Sequence, residues 1–272
     1  MQRKLLFAYA VACHGLFLVV YAWMAAFVGN FLIPRTIDAP ITDAFGRALA
    51  INVALMAAFG LQHSLMARPW FKRAWTRLVP GPIERSTYVL ASCAAVALLM
   101  WQWRPMGPII WDVRHPAGRW ALHGLFAFGW LTVPLVSLMI NHFDLFGTRQ
   151  TWLHLRGRAY EPLPFRTPML YARVRHPLYV GWAIAFWATP TMTAAHLVFA
   201  VGMTAYMLVA IPFEERDLIA HFGQQYRDYR RRVPALIPWP GRRAPAVAPV
   251  VAAAARPLPA VADDTPSRIA PA

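Results

Sequence analysis

Charge is what this sequence has least of. Only 14% of its 272 residues are Asp, Glu, Lys or Arg, against about 25% in an average soluble protein, so the polar shell that a water-soluble core needs is missing. Acidic charge is scarcest: 12 Asp and Glu stand against 27 Lys and Arg, a formal net charge of +15. The two cysteines, Cys13 and Cys93, lie inside apolar runs, which excludes a disulfide framework and a thiolate metal site; no metal is expected. No Gly-rich strand–turn–helix fingerprint occurs, which argues against a soluble nucleotide-binding fold. What is abundant is apolar: 58% hydrophobic residues, with 12 Trp. That excludes a disordered or fibrous chain and points to a membrane protein, with no role for nucleic acid despite the basic excess.

A bilayer core takes about 20 apolar residues per helix. Four stretches satisfy this plainly: Leu5–Ile33, Ala48–Ala67, Ser86–Trp103 and Trp120–Ile140. The first is too long for a signal-peptide core and lacks a small-residue cleavage site, so an uncleaved span is expected. The fifth stretch, Gly181–Phe213, has 33 residues and as one helix would reach roughly 50 Å across a core of about 30 Å. Thr189-Pro190-Thr191 interrupts it, so a hairpin is expected, with a shorter arm before Pro190 and a full span after it. With that hairpin, 22 basic residues fall on one face and 5 on the other. The positive-inside rule then sets both termini in the cytoplasm, the chain in a bacterial inner membrane and its basic face towards anionic lipid. The fold class expected is all-α, a polytopic helical membrane protein of about five spans with an interfacial cytoplasmic helix. Residues 1–239 form the membrane domain, and the Ala/Pro-rich 240–272 a disordered tail.

Polar residues concentrate at two places. Asn141–Pro177 is 37 residues long, too long for a plain connector, and its aromatics suit a segment folded against the bilayer. Adjacent carboxylates, Glu214 and Glu215, leave the hairpin and need partners. They read equally as charges at a helix N-terminus or as ligand contacts. The next helix is expected to carry Leu218, Phe222, Tyr226, Tyr229 and Val233 as an apolar stripe, with Arg227, Arg230, Arg231 and Arg232 on its other face.

The series Tyr171-x-x-x-Arg175-His176-Pro177-x-Tyr179-x-Gly181, an interrupted hairpin, Glu214-Glu215 and Gly223-x-x-Tyr226-x-x-Tyr229 resembles the cofactor half of the isoprenylcysteine carboxyl methyltransferase superfamily. These integral-membrane enzymes use S-adenosyl-L-methionine. Residues 61–90, 101–105, 140–168 and 186–193 resemble the bacterial methanethiol S-methyltransferases more narrowly. The resemblance implies methylation of a small thiol, methanethiol, to dimethyl sulfide. It implies cofactor binding by Tyr171, Arg175, His176, Pro177, Tyr179, Glu214, Glu215, Tyr226 and Tyr229, within a cofactor half of about 168–238. Arg175 would pair with the methionine carboxylate or snorkel to lipid headgroups, and the two tyrosines of the terminal helix would line the adenine or simply pack.

Thiolate, not thiol, is the nucleophile, and free thiols titrate near roughly 8.5 or higher, so a general base is expected. The candidates are His63, His142 with Asp144, and Glu84 with Arg85 at the head of the third span; His14, His123 and His196 read as packing histidines. A prenylcysteine carboxylate or phospholipid acceptor, a haem-binding protein and a small transporter stay open as alternatives, as does the oligomeric state.

Overall fold

A computed structural model of the protein describes residues 1–238; the tail expected over 240–272 lies outside the described residues. In chain order the elements are α1 (Gln2–Gly29), α2 (Phe45–Ala67), α3 (Pro69–Trp75), α4 (Glu84–Gln102), β1 (Ile109–Asp112) and α5 (Pro116–Ile140). There follow α6 (His142–Leu145), α7 (Thr148–Leu155), α8 (Pro177–Trp187), β2 (Thr191–Thr193), α9 (Ala194–Phe222) and α10 (Gln224–Arg232). Among the described residues, five helices are long and apolar enough to cross a membrane: α1, α2, α4 with the turn before it, α5 and α9. The protein is an integral membrane protein. Helices satisfy their own backbone hydrogen bonds, which hydrocarbon demands, and they tolerate Pro134 in α5 and Pro212 in α9. Leu18, Val19, Phe128, Leu131 and Val209 remain exposed on their outer sides, where lipid replaces protein.

The fifth apolar stretch is a hairpin with unequal arms. From Ala194 to Glu215, α9 rises roughly 31 Å, whereas α8 rises only roughly 15 Å. Residues after Trp187 make up the difference in extended form, and β2 pairs antiparallel with β1 from the loop after α4. The fold is all-α apart from this two-stranded tip. Pro190 causes it: its carbonyl accepts from the Val113 amide at 2.9 Å, and Trp111 Nε1 donates to Thr189 O at 3.2 Å. The helical arm is held against α5 by close backbone approach. A Cβ on Gly129 would stand 2.6 Å from Ala185 N and 2.9 Å from Gly181 O, so only glycine lets these two helices touch.

The carboxylates Glu214 and Glu215 lie inside the last third of α9, not at a helix N-terminus, which removes the helix-dipole reading. The stripe expected on one terminal helix belongs to two. Leu218 and Phe222 end α9, Gly223 turns the chain at φ +61°, and Tyr226 and Tyr229 follow in α10. Side chains with a Cβ resist that conformation, whereas glycine adopts it freely. Both halves of the stripe then close on Phe165 from the segment after α7, forming a small core with Val233.

Candidate functional site

Pro177 starts α8 at its first helical position, where a missing N–H costs nothing. The two residues before it are fastened from behind: Arg175 N donates to Pro234 O at 2.9 Å and His176 N to Ala235 O at 3.0 Å. The chain leaving α10 therefore runs beside the start of α8 and aims both side chains at α9. Arg175 Nε donates to Glu215 Oε1 at 2.7 Å, and its guanidinium also meets the carbonyls of Arg230 and Val233. His176 Nε2 lies 3.1 Å from the same carboxylate oxygen. An ionised carboxylate only accepts, so that nitrogen carries the proton. Arg230 approaches the other oxygen at 3.6 Å. Glu215 is thus a buried carboxylate, 6% exposed, with three cationic or donor neighbours, the condition under which a buried charge is tolerated.

Glu214 is different. It is 46% exposed, receives the Tyr179 hydroxyl at 2.9 Å and forms part of the wall of a cavity of about 290 Å³, near the lower end of small-molecule pockets. The Tyr179 ring stacks on His176 with centroids 5.4 Å apart. Phe165, Arg166, Phe222, Tyr226 and Tyr229 also line the cavity. The Tyr229 hydroxyl donates to Tyr171 O at 2.6 Å, whereas the buried Tyr226 hydroxyl has no hydrogen-bond partner among the described residues. Burial first, and the nearby carboxylates second, push the Tyr171 and Tyr226 phenols above their ordinary range. Both therefore remain neutral hydroxyls at working pH. Aromatic rings, one half-exposed carboxylate, a hydroxyl without a partner among the described residues and an arginine on one lining suit a compact molecule with a flat ring, a cationic centre and an anionic end.

Of the nine residues tied to cofactor binding by resemblance, seven line this cavity: Tyr171, Arg175, His176, Tyr179, Glu214, Tyr226 and Tyr229. Pro177 and Glu215 lie behind its wall. Arg175 uses Nε and Nη1 on Glu215 and on the carbonyls of Arg230 and Val233, and it stands on the cavity lining.

The five base candidates are not on the lining. His142 sits one residue beyond Asn141, which is on it, and both of its ring nitrogens are engaged, Nδ1 with Ser137 Oγ at 2.7 Å and Nε2 with His14 Nε2 at 2.8 Å. Burial, and then His14, hold the His142 imidazole below its ordinary range. Asp144 pairs with Arg149 at 2.8 Å. Glu84 heads α4, and Arg85 donates to Leu145 O at 2.9 Å. His63 projects into the bundle and meets Ser92 and Tyr88 of α4. Sequence reading missed Phe165, in a loop without periodicity, and missed Tyr88, Ser92 and Tyr206, which sit at ordinary helical spacing among apolar neighbours. It also read His14 as packing, although His14 pairs with His142.

No family model matches this chain, and no solved structure matches it. Curated relatives do. The methanethiol S-methyltransferase of Mycobacterium tuberculosis is 54% identical over 242 residues, covering 89% of this chain and 99% of the relative. The methanethiol S-methyltransferase of Crocosphaera subtropica is 48% identical over 243 residues, covering 89% and 95%. Nurim of Mus musculus is 32% identical over 180 residues, covering 63% and 68%.

Proposed function

The chain belongs to the methanethiol S-methyltransferase family, within the isoprenylcysteine carboxyl methyltransferase superfamily, and we propose that it methylates methanethiol to dimethyl sulfide with S-adenosyl-L-methionine as donor. The observation that carries this reading is identity of about half, sustained across almost the full length of two relatives of that name. The cavity supports the choice of donor. Among the described residues Glu214 is the one carboxylate on its wall and the Tyr226 hydroxyl has no partner, which suits a polar ligand, and Phe165 and Tyr226 offer an aromatic face.

S-adenosylmethionine supplies an electrophilic methyl group on a sulfonium centre. Glu214 would attract the cationic end, and Tyr179, which donates to that carboxylate, would fix the orientation of Glu214. Arg166 would meet the carboxylate of the methionine portion, and Phe165 and Tyr226, on the same lining, would hold the adenine. Glu215 contributes indirectly: it holds Arg175 and His176 in place so that α8, α9 and α10 enclose one space. Enclosure matters because positive charge leaves the reacting sulfur during transfer, so a site poor in water favours the transition state over the charged ground state. Alignment of acceptor, methyl and donor supplies several kcal/mol more.

A small thiol suits the segment ahead of the Glu pair, Met207–Phe213, which carries no basic residue to receive a carboxylate acceptor. The protein would lie in the cytoplasmic membrane with both termini in the cytoplasm, where the basic face and cavity mouth meet the cofactor. His63, His142, Asp144 and Glu84 remain the residues from which the acceptor's base would be drawn, and Arg85, which stays charged, could only attract the thiolate. Headspace analysis of the purified protein, given S-adenosylmethionine and methanethiol, tests the reading. Dimethyl sulfide above a boiled control is expected. None, with donor binding established by calorimetry, would remove methanethiol as the acceptor.

A further inference from the structure

Two parts of the chain supply the lining of the cavity. Ile140 and Asn141 come from the end of α5 and the residue after it, and all the rest lie within 163–229. The groups assigned to the donor, Phe165, Arg166, Glu214 and Tyr226, belong to the second part. There Arg175 and His176 are spent on Glu215, Tyr179 on Glu214, and Tyr229 on the Tyr171 carbonyl. Two neutral donors are left on the lining, the Tyr171 hydroxyl and the Asn141 amide. Only Asn141 stands outside the segment that holds the donor.

The Asn141 amide has a fixed direction. Asp144 N donates to Asn141 Oδ1 at 3.0 Å, and a backbone N–H only donates, so the oxygen is the end that caps α6. The backbone is held on both sides: Asn141 N donates to Ser137 O at 3.2 Å, and Asn141 O accepts from Leu145 N at 3.0 Å. That leaves Nδ2, which only donates, as the polar end that Asn141 brings to the lining.

Methanethiol offers one atom to a hydrogen bond, its sulfur, and a methyl group that needs apolar contact. Ile140, beside Asn141 on the lining, supplies the second. A neutral donor suits the sulfur better than a charged one. It favours thiolate over thiol, whereas a guanidinium in its place would also repel the sulfonium. Building on the proposed reaction, we infer that Asn141 is a catalytic residue whose Nδ2 group donates to the acceptor sulfur and holds it as thiolate against the methyl. The thiol proton has by then passed through the acceptor's base to water. A thiolate lone pair forms the new carbon–sulfur bond as the donor's methyl–sulfur bond breaks, and that electron pair stays on the donor sulfur. One negative and one positive charge vanish together, and both product sulfurs are neutral. Each unit by which the bound thiol's pKa falls raises the thiolate about tenfold and lowers its reactivity only about threefold, a net gain below the pKa.

Asn141→Ser and Asn141→Asp separate this role from the cap. Both keep an oxygen that caps α6 about as well as asparagine does, so thermal unfolding should match wild type. Serine removes the amide without adding charge, and aspartate sets a carboxylate beside the thiolate. The KM for methanethiol should rise and kcat/KM fall about tenfold or more in Asn141→Ser, the low end for a hydrogen bond to a charged group, and further in Asn141→Asp. S-adenosylmethionine affinity by calorimetry should not weaken in either. The acid limb of kcat, which reports the bound complex, should move to higher pH in both. Wild-type turnover in both variants, an unmoved limb, or donor affinity lost in Asn141→Ser overturns the inference. Should both variants unfold, wild type decides: its kcat limb should lie below the ionisation of free methanethiol, and a limb at or above it overturns the inference. A wild type that binds donor but yields no dimethyl sulfide removes the acceptor reading and this role with it, whereas active wild type and unimpaired variants remove the role of Asn141 alone.

Discussion

At each end of the α8–α9 hairpin a histidine meets a carboxylate. His176 lies 3.1 Å from Glu215 at the basic end, and His196 lies 3.5 Å from Asp38 at the tip. The first pair ties the two arms of the hairpin together, the second ties the hairpin to the loop after α1, and both histidines are buried. At Asp38 the Thr193 hydroxyl and the Asn30 amide both donate to the carboxylate, and His196 Nε2 gives its proton to Phe186 O, which leaves Nδ1, 3.5 Å from Asp38, without a hydrogen-bond partner among the described residues. The tip is a clasp that ties the loop after α1 to the start of α9. At the basic end the buried pair is likewise structural, but it has a second carboxylate beside it, Glu214, which faces a cavity. A histidine–carboxylate pair is therefore no signature of function here. The signature is the open carboxylate, the unpartnered Tyr226 hydroxyl and the aromatic wall next to it.

The largest expected effect tests the structural half of the comparison. Glu215→Ala leaves Arg175 and His176 facing an empty buried position, and breaking a buried pair from one side costs about 3–5 kcal/mol. Thermal unfolding in detergent should show it, together with loss of donor binding. Asp38→Ala should cost about 1–3 kcal/mol through the donors it strands, yet leave S-adenosylmethionine affinity as it was. A matching fall in affinity would mean that the two ends are coupled. Tyr226→Phe is the reverse case. Stability without ligand should hold, because a hydroxyl with no partner is removed, while donor affinity weakens by several-fold, about 1 kcal/mol by titration.

The smallest effect concerns His142, beside the basic end. Its pKa is depressed by burial and by His14, so the unfolded chain binds a proton more readily than the folded one. Its stabilising contribution is complete above its ordinary value near roughly 6.5 and fades as pH falls towards the lowered folded value. His142→Gln should flatten that acid limb in unfolding curves measured across this range. An unchanged limb would assign the acid sensitivity elsewhere.

Much of this was legible in the residues themselves. Run length located the spans, Pro190 marked the hairpin tip, and the order from Tyr171 through Glu214 to Tyr229 marked most of one cavity wall. Each of those signals is local. Phe165, the β1–β2 pairing and the Asp38–His196 clasp were not legible, because each depends on partners distant in the chain and none repeats with a helical or strand period. The stripe from Leu218 to Val233 misled for the opposite reason: its period continues smoothly across Gly223, where the backbone does not. Tyr88 and Ser92 were hidden by their own regularity, since a tyrosine and a serine one turn apart on an apolar helix announce nothing until α2 brings His63 between them.

The central claim is that the donor binds at the basic end, against Glu214, and nowhere near the tip. Calorimetric titration of S-adenosylmethionine into wild type, Glu214→Ala and Asp38→Asn tests it most directly. One site per chain is expected in wild type, unchanged in Asp38→Asn and weakened at least tenfold in Glu214→Ala. Wild-type affinity in Glu214→Ala, or an equal loss in both variants, would contradict it.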